Sequence, residues 1–172
     1  LAVFIEDAAG EGAHRISAHR ALNLNPAVPK IRGVEALRKL RYGWDHEQAT
    51  IDHRRSNRWA ESKPAVAMLN DFDSLLQALF ADQSVTTLET HTKYRSGTLT
   101  EAVATKFETL SEIWQRLLPH RQLVISGDDI QVSVVGTFET YPASDMSDGE
   151  RAIFYLLAQA LVAADSSLLI ID

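Results

Sequence analysis

An α/β fold is predicted for this 172-residue chain, and three observations predict it. The chain closes on a continuous apolar run, Leu168-Leu169-Ile170-Ile171, and then Asp172. Such a run suits a parallel strand covered on both faces, and open α/β sheets place their ligands at the C-terminal ends of such strands. Just ahead of it, Ser147 and Glu150 stand in the Ser-x-x-Glu spacing that closes the first turn of a helix. Finally, strand-like runs near both ends of the chain bracket a middle with helical periodicity.

Taken in order, residues 1–5 and 15–18 read as two strands separated by the turn-like patch Ala9-Gly10-Glu11-Gly12. Residues 33–41 read as a short helix. Pro64 suits the first turn of a longer one, with Val66, Leu69, Phe72, Leu76, Leu79 and Phe80 at helical spacing. Residues 83–100 are polar and rich in Thr and Ser, which predicts a loop or hinge. A further helix is expected over 101–118, with Val103, Phe107, Leu110, Ile113, Trp114 and Leu117 as its apolar stripe and Pro119 as its stop. Residues 122–126 and 130–135 flank Gly127-Asp128-Asp129 in a hairpin-like pattern. The last helix carries Ile153, Phe154, Leu157, Ala160 and Leu161 on one face. Three parts follow: an N-terminal α/β portion of strands (1–28), a helical subdomain (29–120) and a C-terminal α/β portion (121–172) with hairpin, capped helix and closing strand.

The chain is 45% hydrophobic, carries a net charge of -6 and has no cysteine. That is enough apolar material for one core, and it excludes a disulfide framework or a thiolate metal site. No apolar run approaches the ~20 residues of a membrane span and no signal peptide is visible, so a cytoplasmic protein without a membrane partner is expected. The charge is uneven. Residues 29–63 hold nine Lys and Arg against five acids, a local balance of +4, with Tyr42, Trp44 and Trp59 interleaved. This stretch suits nucleic acid or an acidic partner; a solvated helical face with inward aromatics is the other reading.

The capped turn has two readings as well. An exposed helix N-terminus offers unpaired N–H groups to an anion, and Gly149 leaves room for close approach by a phosphate. A plain helix cap would use the same Ser and Glu. A carboxylate at the end of a buried strand can hold magnesium, and Asp172 stands there. His14 and His19, like His46 and His53, lack the spacing of metal-binding pairs on a helix; Asp128-Asp129 read as turn residues; Ser144 and Ser147 have no nearby His-Asp partners.

Ser147-Asp148-Gly149-Glu150-Arg151 resembles the signature motif of ABC-type ATPases in the variant of the RecF/SMC/OLD-like group, and the run 168–172 resembles their Walker B strand. These matches cover residues 141–172; residues 15–26 are similar to a strand and turn of some members. The resemblance implies a partial P-loop NTPase fold, an ABC-type ATPase head with an inserted helical subdomain. It implies ATP and Mg2+ as cofactors, and a homodimer closed around ATP. In that arrangement Ser147 and Gly149 contact the γ-phosphate bound to a second subunit, Asp148, Glu150 and Arg151 belong to the same turn, and Asp172 serves the magnesium of its own subunit. His19 and Arg20 would face the same sheet edge as Asp172 and sense the γ-phosphate or orient a water. A DNA or nuclease partner is implied, with DNA repair, chromosome handling or anti-phage defence as the setting. The family's Gly-x-x-x-x-Gly-Lys-Ser/Thr loop is absent, since none of the eight glycines precedes a Lys. The family's catalytic Glu would follow Asp172, where the sequence stops. The expectation is therefore an internal piece of a longer ATPase, inactive by itself. The alternatives are a nucleic-acid-binding module built on 29–63 and a catalytically silent dimerisation domain.

Overall fold

A computed structural model describes residues 1–59, 64–98 and 101–172. The mixed α/β class is observed. The chain runs through α1 (Ala2–Ala9), β1 (Ala13–Ile16), α2 (Gly33–Tyr42), the single turn α3 (Ile51–His53) and a π-helical turn at Arg54–Arg58. It continues through α4 (Phe72–Arg95), α5 (Lys106–Leu117), β2 (Arg121–Ile125), β3 (Ile130–Val134), β4 (Thr140–Pro142), α6 (Asp148–Val162) and β5 (Leu168–Ile171).

Two small sheets carry the strands. β1 and β5 pair in parallel, Ala13 beside Leu168 and Ile16 beside Ile171, and the Asp172 N–H donates to the Ile16 carbonyl at 3.2 Å. β2, β3 and β4 form an antiparallel meander. Because side chains alternate along a strand, Arg15, Ile170 and Asp172 share one face of the parallel pair, and His14 and Ile16 share the other. The first face meets α1, and on the second His14 reaches Gln159 of α6.

One apolar core joins all three parts of the chain: Ile16 of β1, Leu40 of α2, Phe72 and Leu76 of α4, Phe107 and Trp114 of α5, Val132 of β3, and Phe154 and Ala158 of α6. Trp114 is completely buried, and its indole N–H donates to the Arg121 carbonyl at 3.0 Å, pinning α5 to β2. A buried indole needs such an acceptor.

Several expectations are corrected. Residues 2–5 are helical and Leu1 caps them, so the expected strand over 1–5 is absent. A five-residue apolar run does not fix its own period. The helical phase turns Glu6 inward to Arg15 and Arg54 and leaves Leu1 and Phe4 exposed. Pro64 does not start a helix; it lies in a turn, α4 begins at Phe72, and Val66 is exposed. The expected loop at 83–100 is helical as far as Arg95, since Leu88, Glu89 and Lys93 keep the helix going where no core covers it; Leu99 and Thr100 lie outside the described residues. The helix expected from 101 starts at Lys106, where Thr105 caps it by accepting from the Glu108 N–H at 3.2 Å, and Val103 stays exposed. The buried face of α6 is Phe154, Tyr155, Ala158, Gln159 and Val162, rotated from the expected stripe because Tyr155 and Gln159 find the half-buried carboxylate of Asp71. β5 is not covered on both faces by the described residues: Ile170 is buried, whereas Leu168, Leu169 and Ile171 are exposed.

Candidate functional site

The capped turn forms as its spacing requires. The Glu150 N–H donates to Ser147 Oγ at 3.3 Å, while Glu150 Oε2 accepts from the Ser147 N–H at 2.8 Å and from its hydroxyl at 2.7 Å. The Tyr141 hydroxyl donates to Glu150 Oε1 at 2.6 Å, and Arg121 Nε lies 3.3 Å from the same oxygen. Burial acts to raise the Glu150 pKa, but the hydrogen bonds from Tyr141 and Ser147 and the charge of Arg121 outweigh it and hold the carboxyl below its ordinary value. The first turn of α6 is thus tied to the meander by a charged carboxylate. Arg151 donates to Asp148 at 2.8 Å. Gly149 is exposed, its φ is not left-handed, and a Cβ there would meet nothing within 4 Å. Among the described residues neither backbone conformation nor packing calls for a glycine at that position.

At the other end of the site, β1 and β5 finish side by side. Asp172 Oδ2 accepts two hydrogen bonds from Arg15, from Nε at 3.0 Å and Nη2 at 2.8 Å. Arg15 is fully buried, its Nη1 lies 3.5 Å from Glu6, and its guanidinium stacks 4.2 Å from the Trp59 ring. Arg54 pairs with Glu6 at 3.4 Å and Arg58 with Asp71 at 3.5 Å. Three guanidiniums thus face three carboxylates, which is how charge becomes tolerable in an interior.

Asp71 links this cluster to α6. Its Oδ1 accepts from the Tyr155 hydroxyl at 2.7 Å and its Oδ2 from Gln159 Nε2 at 3.1 Å. The Gln159 carbonyl oxygen is then free to accept from His14 Nε2 at 2.8 Å. Burial, followed by the charge of Arg58, lowers the His14 pKa to about 4, so the ring is neutral. Burial, followed by the charge of Asp71, raises that of the Tyr155 phenol. From Tyr155 to Ser147 is eight residues of helix, about 12 Å, so the cluster and the capped turn are separate along α6.

His19 and Arg20 do follow β1 toward the edge where Asp172 stands. His19 is exposed. Arg20 folds back: Nη1 donates to the Ser17 carbonyl at 2.7 Å and the guanidinium lies 5.1 Å from the Tyr155 ring. Neither makes a hydrogen bond to Asp172 among the described residues, and neither meets the capped turn. Arg15, Asp71, Tyr141 and Arg121 were not singled out by the sequence. Arg54 and Arg58 were read only as part of the basic stretch, and a spacing of four places them side by side on a helical turn without saying which way they face.

The basic stretch is partly internal. Arg54, Arg58 and Trp59 are buried, Arg32 pairs with Glu35, and the Tyr42 hydroxyl donates to Glu11. Trp44 stacks on His46 with ring centres 4.9 Å apart. Lys30, Lys39 and Arg55 are exposed; Glu61 and Lys63 lie outside the described residues. Among the described residues no group of three or more His, Cys, Asp or Glu could hold a metal ion, and no helix is long and apolar enough to cross a membrane. Comparison with protein families, curated proteins and solved structures finds nothing that matches this chain.

Proposed function

We propose that this chain is part of an ATP-binding, ATP-hydrolysing head of the ABC type that dimerises around ATP, with the 147–151 turn capping the nucleotide of a second subunit. The observation that carries this reading is Gly149: it stands exposed in the first turn of α6, where nothing among the described residues needs a glycine. A residue without a side chain there suits close approach by an anion from outside, and the helix N-terminus supplies donors and positive dipole. The clamp of Tyr141 and Arg121 on Glu150 holds that turn rigid. In this reading ATP acts as the glue between heads, and hydrolysis releases them to drive a DNA-repair, chromosome-handling or anti-phage nuclease activity.

Asp172 fits a magnesium role. Its Oδ2 is taken by Arg15, whereas Oδ1 makes no hydrogen bond among the described residues and the side chain is 27% exposed. Magnesium bound with a nucleotide uses one or two carboxylates, phosphate oxygens and water, so the lack of a larger acidic cluster is compatible with it. There the ion would neutralise charge developing on the transferred phosphoryl group. The chain's own part is to hold one carboxylate oxygen at the strand end and to present the capped turn to the partner.

The test is Ser147→Arg in the full-length protein. The arginine fills the space above the turn without touching the buried core, because Ser147 is exposed. ATP-driven dimerisation should be lost while ATP binding to the monomer is unchanged. Equal dimerisation of the variant refutes capping in trans.

A further inference from the structure

We infer that Arg15 is a positioning residue for Asp172: a buried guanidinium that holds one carboxylate oxygen and so aims the other at a bound divalent cation. This rests on the magnesium reading of Asp172 given above. Three features of Arg15 carry it. First, two of its donors, Nε and Nη2, converge on the single oxygen Oδ2 at 3.0 and 2.8 Å, so that oxygen is engaged while Oδ1 makes no hydrogen bond among the described residues. Two charge-assisted bonds from the rigid guanidinium fork hold that oxygen more firmly than a single N–H would.

Second, Arg15 is itself held by further contacts. Nη2 also donates to the Pro64 carbonyl at 3.0 Å, Nη1 faces Glu6 at 3.5 Å, and the plane stacks on Trp59. The Arg15 carbonyl accepts from Arg58 Nη2 at 3.2 Å. Third, the strand register places Arg15 opposite Ile170, so Arg15 and Asp172 fall on the same face of the parallel pair, and the contact follows from the pleat. Partners of this kind behind a metal ligand govern affinity as the ligand does.

The experiment titrates Mn2+, as a magnesium probe, into the full-length protein with ATP and follows free Mn2+ by electron paramagnetic resonance. Arg15→Lys keeps the charge and removes the fork, and should weaken Mn2+ binding by about tenfold to a hundredfold. Glu6→Gln also disturbs the buried cluster but leaves the Arg15–Asp172 contact in place, so it should lower the melting temperature and leave Mn2+ affinity at the wild-type level. A purely structural Arg15 would move both variants alike in stability and neither in affinity, and that result overturns the inference while the magnesium reading stands. Absence of Mn2+ binding beyond that of ATP itself in wild type overturns the reading beneath it. Should Arg15→Lys not fold, the wild-type Arg15 Nε–H resonance decides the matter: it shifts with Mg2+ saturation if Arg15 holds the metal-bound Asp172, and its constancy overturns the proposal.

Discussion

Replacing His14 by glutamine should flatten the acid limb of the stability profile. His14 is 5% exposed and donates from Nε2 to Gln159, whose own amide is committed to Asp71. The ring therefore has a place only as a neutral donor, and a proton added at Nδ1 would sit buried beside the Arg58 charge. The folded pKa of about 4 lies below the ordinary 6.5. The sign follows from linkage. Below the ordinary value the unfolded chain binds a proton that the folded chain refuses, so stability is lost as pH falls from 6.5 toward 4 and levels off below that. Between pH ~7 and pH ~5 this single group should cost about 2 kcal/mol. Glutamine can still donate to Gln159 and does not titrate in this range. Urea denaturation at both pH values, in wild type and His14→Gln, measures the difference: wild type should lose about 2 kcal/mol more than the variant over that step. Parallel losses in the two proteins would show that His14 is not held neutral, and the buried polar cluster would have to be arranged differently.

Two further outcomes follow from the same geometry. Asp71→Ala removes the acceptor shared by Arg58, Tyr155 and Gln159; breaking a buried pair in this way should cost about 3–5 kcal/mol by thermal or denaturant unfolding, and a loss near zero would mean that solvent reaches the cluster. Gly149→Ala meets open space, so folding stability should stay within about 1 kcal/mol of wild type or rise; the same variant should weaken ATP-dependent association, and normal association would mean the glycine serves no approach from outside.

Local signals were legible in the sequence, and long-range ones were not. The Ser147–Glu150 box, the hairpin around Gly127 and the β5 run depend on spacings of a few residues, and all three appear. The α1 run and the Thr-rich end of α4 were misread because periodicity is weak in short apolar and in polar segments. The cluster that organises the site joins Arg15 to Asp172 across 157 positions and Tyr155 to Asp71 across 84. Propensity carries no information at that range, and a charged residue in the sequence looks solvated until its partner is in place. The phase of α6 shows the consequence: Tyr155 and Gln159 turned inward because Asp71 was there to receive them.

The most direct test of the central claim is the mass of the full-length protein by sedimentation, with and without ATP and Mg2+. The account predicts a monomer without nucleotide, a dimer with it, and a monomer under both conditions for Ser147→Arg. The same mass with and without nucleotide would contradict it, leaving the 147–151 turn as a helix cap.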